Sequence, residues 1–456
     1  MSFLQRIEGL RGRMQGALIG PGDADFDQAR RVWNGMIDRR PALIARCGST
    51  DDVVAAIAFA RDNGLALAVR GGGHNVSGNA TCDAGIVADL GPMNTVRVDS
   101  GGRTASAGGG TRWAEYDRET QRHALASPGG AISTTGVAGL TLGGGFGWLS
   151  RSWGLACDNL LSAEVVTAAG EVLTASADEN REMFWGLRGG GGNFGAVTRL
   201  DFRLRPLERL HAGLLLYPRA RGREFLQAYR EMTAEAPDAL SSMAAFLHTP
   251  DGVPVVGAFV VYLGEAGPGN RAIAPLRALG PPLLDDVGPK AYTAVQQAFD
   301  AGFPAGKRNY WKSTFLSRLG DEALDVLVDH AERAPTLTSI VALEHMLGGA
   351  VARVGAEETA FGHRGATYNL LVLGMGEAAA GDGDLRAWTR GLWRAMQPYS
   401  SGAVYVNYMD ADEEDRIGEA YGSTNYRRLV ALKDRYDPDN LFRLNQNIAP
   451  SRAAPR

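Results

Sequence analysis

The sequence predicts an α+β protein of two domains, and three observations predict it. The chain has 456 residues, too many for one ordinary hydrophobic core. Its texture changes after Pro206, from short β-like runs between glycine-rich turns to longer runs separated by amphipathic helices. That second texture is the pattern of helices packed beside an antiparallel sheet. The expected division is residues 1–206, 207–404 and a tail over 405–456.

The elements follow in order. Residues 49–52, Ser-Thr-Asp-Asp, cap a helix expected over 53–63, where apolar residues recur at helical spacing. Short strands are expected at 65–69, 85–90, 95–98 and 104–108, then a helix at 113–123. A hairpin pairs 165–168 with 171–175 around Gly170, and an alternating strand over 197–204 ends at Pro206. Beyond it, strands are expected at 244–247, 255–262, 339–345 and 368–373. Helices are expected at 221–234, 321–334 and 384–397. From Tyr405 the chain is poor in glycine and reads as helix, leading to an end at 445–448.

Composition narrows the function. Hydrophobic content of 45% and a net charge of −4 describe a soluble globular protein. No basic stripe with interleaved aromatics marks a nucleic-acid partner, and no apolar run is long enough to span a membrane. Cys47, Cys82 and Cys157 are too scattered for a metal site or a disulfide framework. The first residues lack a secretory h-region, so a reducing cytoplasm is the expected home. The oligomeric state stays open.

The 60 glycines are unusually many, and two glycine-rich segments account for part of the excess. The first, 70–78, reads Arg-Gly-Gly-Gly-His-Asn-Val-Ser-Gly and follows a β-like run. Glycines let a backbone approach a ligand, and successive N–H groups in such a turn form an anion-binding nest. His74 sits where a ligand held there would be touched. The second segment, 127–148, is nearly free of polar groups except small hydroxyls. Long glycine-rich loops lose much entropy on ordering, and a large ligand that orders both would account for them.

Two rival ligand motifs fail. Residues 190–195 fit G-x-G-x-x-G, but a dinucleotide turn must open a helix, and a strand follows here. Residues 302–307 have the wrong spacing for a phosphate-binding Walker loop.

With 158–161, 165–167, 184–195, 436–442 and 445–448 added, these segments resemble the berberine-bridge-enzyme-like branch of FAD-linked oxidases. That branch lies in the vanillyl-alcohol-oxidase/para-cresol-methylhydroxylase superfamily. The resemblance runs from end to end. It implies an FAD-binding domain of the para-cresol-methylhydroxylase type, an antiparallel-sheet substrate domain, and a tail that returns to the flavin domain.

The resemblance also implies the site. FAD would be held by Arg70, Gly71, Gly72, Gly73, His74, Asn75 and Ser77 of the first segment. The second would contribute Pro128, Gly129, Gly130, Ile132, Ser133, Thr134, Thr135, Gly136, Val137, Gly139, Leu140, Gly143, Gly144, Gly145 and Gly147. Asn159, Val166, Asn445 and Asn447 would complete it. His74 matches the residue that bonds to the 8α-methyl carbon of the flavin. Many relatives add a second link from a cysteine at the position held here by Ile132, so a single linkage is expected. Thr135 matches the position that controls oxygen access, and its modest size favours reoxidation by O2.

Oxidation of an alcohol needs a base while hydride leaves. Tyr408 is the first candidate and Tyr405 the second, from Tyr-Val-Asn-Tyr-Met-Asp at 405–410. An unperturbed tyrosine has a pKa near ~10, so a cationic neighbour is required; Lys312 and Arg364 are the candidates. Glu344 and His345 fall on the same expected sheet, whereas Leu371, near where some relatives carry Glu or Gln, cannot move a proton. The expected function is oxidation of a sugar, aromatic or secondary-metabolite alcohol, or an amine, with O2 giving hydrogen peroxide. The alternatives are a dehydrogenase or oxidative cyclase using another acceptor, and a noncatalytic FAD-binding protein.

Overall fold

The computed structural model describes residues 2–452. The helix expected near residue 53 spans Thr50–Asp62, and Ser49 caps it by accepting from the Asp52 N–H. It covers a four-stranded sheet in which Leu43–Arg46 and Leu67–Arg70 both run parallel to Ile86–Asp89. A five-stranded antiparallel sheet follows, with Ala196–Arg203 between Thr104–Gly108 and Leu160–Val166. Its outer hairpin pairs Leu160–Val166 with Val172–Ser176 and turns at Gly170, whose φ of 87° suits glycine.

After residue 206 the chain builds an eight-stranded sheet, antiparallel throughout. The four strands expected there are present as Leu240–His248, Pro254–Tyr262, Ile340–His345 and Tyr368–Gly376. Two further long strands, Leu210–Pro218 and Arg308–Leu316, escape the sequence reading. Both are buried almost end to end, so the polar–apolar alternation that betrays a half-buried strand is missing.

Helices Gly222–Ala234, Asp321–Ala331 and Asp382–Met396 cover one face of this sheet and bury its largest apolar cluster. The other face turns toward the glycine-rich segments. Successive residues of a strand point to opposite faces, so only every second residue can meet them.

The tail carries helix Ser423–Tyr436. Its Lys433 is fully buried and donates to Asp437 at 2.6 Å, to the Asn193 carbonyl at 3.0 Å and to the Phe442 carbonyl at 3.1 Å. A buried ammonium is tolerable only when its donors are met in this way. Asn445 and Ile448 add bonds to Gly192 and Asn193, so residues 445–448 lie against the segment at 190–195.

Candidate active site

The two glycine-rich segments meet backbone to backbone. A Cβ on Gly72 would lie 2.4 Å from the Gly136 nitrogen, and one on Gly136 would lie 2.5 Å from the Gly72 nitrogen. No side chain fits there. Beside this contact is a cavity of about 250 Å³. Gly71, Gly72 and Gly73, with Thr135, Gly136, Ala138, Gly139, Leu140 and residues 191–193, form one wall. Trp311, Tyr405, Asn407 and Tyr408 line it from the substrate-sheet side.

His74 sits at the edge of the cavity, stacked on Trp33 with ring centroids 4.4 Å apart and planes 19° apart. Its Nε2 lies 3.3 Å from the Thr134 hydroxyl. Burial lowers its pKa to about 4, so the ring is neutral at physiological pH.

On the sheet side, a turn at Val406–Tyr408 delivers Tyr408 to the cavity. The Tyr408 hydroxyl donates to Glu344 Oε1 at 3.1 Å, and Asn369 Nδ2 donates to Glu344 Oε2 at 2.7 Å. Sheet register explains the second contact, since Glu344 and Asn369 are direct cross-strand partners. Glu344 is 3% exposed and stands behind Tyr408. Burial raises its pKa to about 7, against the pull of the two hydrogen bonds. Burial and then the Glu344 charge raise the pKa of Tyr408 far above its ordinary value. Around this polar pair the wall is apolar: Val76, Trp311, Ala342, Leu371 and Leu373 pack with Trp33.

A family model described as an FAD binding domain matches residues 41–176. One described as berberine and berberine-like matches residues 404–449. An FAD-linked oxidoreductase of Dictyostelium discoideum is 30% identical over 441 residues, covering 96% of this chain and 95% of that protein. The (R)-6-hydroxynicotine oxidase of Paenarthrobacter nicotinovorans is 33% identical over 458 residues, covering 96% and 97%. The crystal structure of 6-hydroxy-D-nicotine oxidase from Arthrobacter nicotinovorans matches with a TM-score of 0.87 at 32% identity, over 96% of this chain and 98% of that one. The chain belongs to the berberine-bridge-like FAD-linked oxidoreductases.

Its fold is accordingly that of the para-cresol-methylhydroxylase-type flavoproteins, and it is an enzyme. The residues present fit the flavin cofactor of this family. A Cβ on Gly139 or on Gly192 would meet nothing within 4 Å, so the cavity comes up to bare backbone at both. Asn445 faces the same cavity and its Oδ1 has no partner among the described residues.

Several residues expected to hold FAD in this oxidoreductase do not line the cavity. Arg70 pairs with Asp89 at 3.0 Å and supports the first loop from behind. Ser77 donates to Asn75 at 2.5 Å. Ser133 bonds Asp300, and Thr134 reaches the cavity only through His74. Gly129 lies against the Trp113 ring and Gly130 against Leu140, with Pro128 buried beside them. Val137 is buried in a short helix, Val137–Leu142. Gly143 makes room for Asn407, Gly144 for Phe361 and Gly147 for the Gly129 carbonyl, while Gly145 donates to the Tyr405 hydroxyl at 3.1 Å. Asn159 caps carbonyls of Trp153 and Leu155, and Val166 is a core strand residue. Asn447, whose Oδ1 is unpartnered, lies outside the cavity lining. Close packing demands glycine as strictly as a ligand does, which is why the motif alone cannot separate the two.

Among the described residues, neither cation expected beside Tyr408 lies against it. Lys312 follows Trp311 on the same strand and faces the other way, onto Asp412 at 2.5 Å and Glu413 at 3.0 Å. Arg364 makes a two-pronged pair with Asp158 at 2.7 and 2.8 Å. His345, next to Glu344, points away from it to Arg151 at 3.2 Å. Tyr405 accepts from Gly145 and Asn407, and burial raises its pKa. The group beside Tyr408 is instead a carboxyl.

The sequence reading missed Trp33, Asn369, Trp311 and the cavity-lining residues 191–193. The run at 190–195 is no dinucleotide turn: helix Arg181–Leu187 precedes it and strand Ala196–Arg203 follows. Its glycines were nonetheless a readable signal. So was Asn369, a lone amide in an otherwise apolar strand.

Proposed function

We propose that this enzyme oxidises a C–H bond of a small organic substrate, an amine or an alcohol, with O2 as the final acceptor and hydrogen peroxide as the product. The observation that carries the proposal is the Tyr408–Glu344 pair, bordering one cavity with a wall of bare glycine backbone. The bound FAD supplies the two-electron acceptor for the hydride.

The chain's residues handle the proton. With Glu344 ionised, the Tyr408 O–H donates to it, and the phenol oxygen is left as the acceptor that faces the cavity. When the substrate's O–H or N–H proton passes to that oxygen, the phenol proton moves on to Glu344. No tyrosinate has to exist in the resting enzyme, so the missing lysine or arginine is no obstacle. A carboxyl with a pKa of about 7 is well placed to receive a proton near neutrality. Tyr405, held by two hydrogen bonds, is a wall residue in this scheme.

His74 holds the flavin covalently and alone. Ile132 lines the cavity and has no thiol, and the three cysteines are buried and free. Thr135, also on the wall, leaves room for O2. The relative named for hydroxynicotine, at 33% identity, favours a nitrogen substrate over a sugar. So does the wall around Glu344, whose apolar side chains cannot satisfy many hydroxyls.

The test is anaerobic mixing of the purified enzyme with amines, aromatic alcohols and sugars, watching the flavin bleach, followed by air and a peroxide assay. Bleaching by one class and peroxide on reoxidation are expected. A bleached flavin that reoxidises only with another acceptor would establish the dehydrogenase instead.

A further inference from the structure

Residues 33–35, Trp-Asn-Gly, form a strap that joins the His74 loop to the substrate sheet. On the loop side, the Trp33 N–H donates to the Gly73 carbonyl at 3.0 Å and Asn34 Nδ2 donates to the Val76 carbonyl at 2.7 Å. On the sheet side, Asn34 exchanges bonds with the Asn309 backbone: Nδ2 donates to its carbonyl at 2.9 Å, and Oδ1 accepts from its N–H at 3.0 Å. Gly35 donates to the Lys307 carbonyl at 2.7 Å, and Gly306 donates to the Trp33 carbonyl at 2.9 Å. The Trp33 indole N–H donates to the Phe303 carbonyl at 3.1 Å. A Cβ on Gly35 would lie 2.1 Å from the Gly306 oxygen, so the strap seats with no slack. Its indole is 6% exposed, wedged between the His74 ring and the edge of Trp311 at 5.4 Å.

In this arrangement the aromatic ring stacked on the imidazole is Trp33. The first loop consists of glycines up to residue 73, which offer no side chain against which a ring could rest. The flat neighbour of His74 comes from the strap, and the strap is anchored in the other half of the protein. We infer that Trp33 is a positioning residue for the flavin linkage: its indole holds the His74 ring in one orientation at the cavity wall and so sets how fast the linkage forms. The inference rests on the covalent His74 reading above.

In the linkage step an N–C bond forms between the imidazole and the 8α carbon. The imidazole N–H proton and one methyl proton are released to the ring system and solvent. The two electrons of the broken C–H bond stay on the flavin until O2 takes them, giving hydrogen peroxide. The neutral state of His74 leaves a nitrogen lone pair free for this bond.

Full-length protein made under riboflavin limitation is given FAD, and acid-stable flavin is followed with time beside total bound flavin. Wild type, Trp33→Phe and Trp33→Leu are compared. An aromatic stacking contact of this kind is worth roughly 2- to 10-fold, so Trp33→Leu should form the linkage slower by that factor with equal total flavin. Trp33→Phe keeps a flat ring and loses only the bond to Phe303, so it should stay near wild type. That rescue separates orientation from general destabilisation. Linkage by Trp33→Leu at the wild-type rate would overturn the inference and leave His74 as the attachment. Equal slowing in both variants would also overturn it, since the Phe303 bond would then be the cause. Wild-type flavin that washes out in acid would overturn the His74 reading and this inference together. If Trp33→Leu does not fold, Trp33→Met, with a flexible chain of similar bulk, decides by the same comparison.

Discussion

Gly72 touches Gly136, and Tyr408 touches Glu344; both pairs are 64 residues apart and both border the same cavity. The first pair meets through backbone and the second through side chains. On the glycine wall the chain is stripped of side chains so that main-chain groups form the surface. On the sheet wall three strands and a turn lend side chains, and the chemistry lies in what they bring together. The difference suggests a division of labour, with the cofactor gripped by one wall and the proton handled by the other. Substitutions on the two walls should therefore fail in different ways.

The largest effect is expected on the sheet wall. Tyr408→Phe removes the phenol proposed to relay the proton, and general-base help is typically worth ~10²–10⁴-fold. Stopped-flow flavin reduction should slow by that order with flavin content unchanged. In wild type the rate should rise with pH through about 7, as Glu344 ionises, and Glu344→Gln should flatten that rise. A wild-type rate in Tyr408→Phe would remove the relay and leave the substrate's proton to another group.

Glu344 also leaves a mark on stability. Its folded pKa of about 7 lies above the ordinary 4.5, so the folded protein binds that proton more tightly than the unfolded chain does. The sign is then fixed: this contribution is full below pH 4.5 and is lost as pH rises through about 7. At about 1.4 kcal/mol per pKa unit the loss reaches ~3 kcal/mol at most. Thermal unfolding of Glu344→Gln should lack that decline, and a parallel pH profile in the two proteins would show that the carboxyl is not neutralised by burial.

The glycine wall should respond through cofactor loading. Gly72→Ala pushes a methyl group into backbone, and overpacking of this kind typically costs ~1–3 kcal/mol. Gly139→Ala meets open cavity instead. Both should lose flavin, but only Gly72→Ala should lower the unfolding temperature of the protein stripped of flavin. Equal melting temperatures would mean that the two loops do not rely on their contact.

The smallest effect tests the boundary between the walls. Thr135→Leu enlarges a residue at the cavity surface, and reoxidation by O2 should slow several-fold while anaerobic reduction by substrate holds. Unchanged reoxidation would place oxygen entry elsewhere.

The fold was legible where local rules act over a continuous stretch. Ser49 before Thr50–Asp62, Gly170 in its hairpin and the strand at Ala196–Arg203 all stand where their patterns put them. Strand Arg308–Leu316 was not legible, because its buried positions include Asn309, Lys312, Ser313 and Thr314 and so form neither an apolar run nor an alternation. With it went Trp311, which faces the cavity, and the true direction of Lys312.

By itself, the sequence determined the fold class and the two glycine-rich turns, with His74 directly after the first. Each of these needs a particular residue type at a particular spacing along one stretch of chain: a turn without side chains, a ring just after it, a period of two or of 3.6. Only the tertiary structure decided that Tyr408 would meet Glu344 rather than a lysine, that Asn369 would hold that carboxyl, and that Trp33 would lie against His74. It also decided which glycines face the cavity and which merely let other chains pass close. Those contacts depend on strand register and on which face a residue occupies. A shift of one residue reverses that face and leaves the composition untouched.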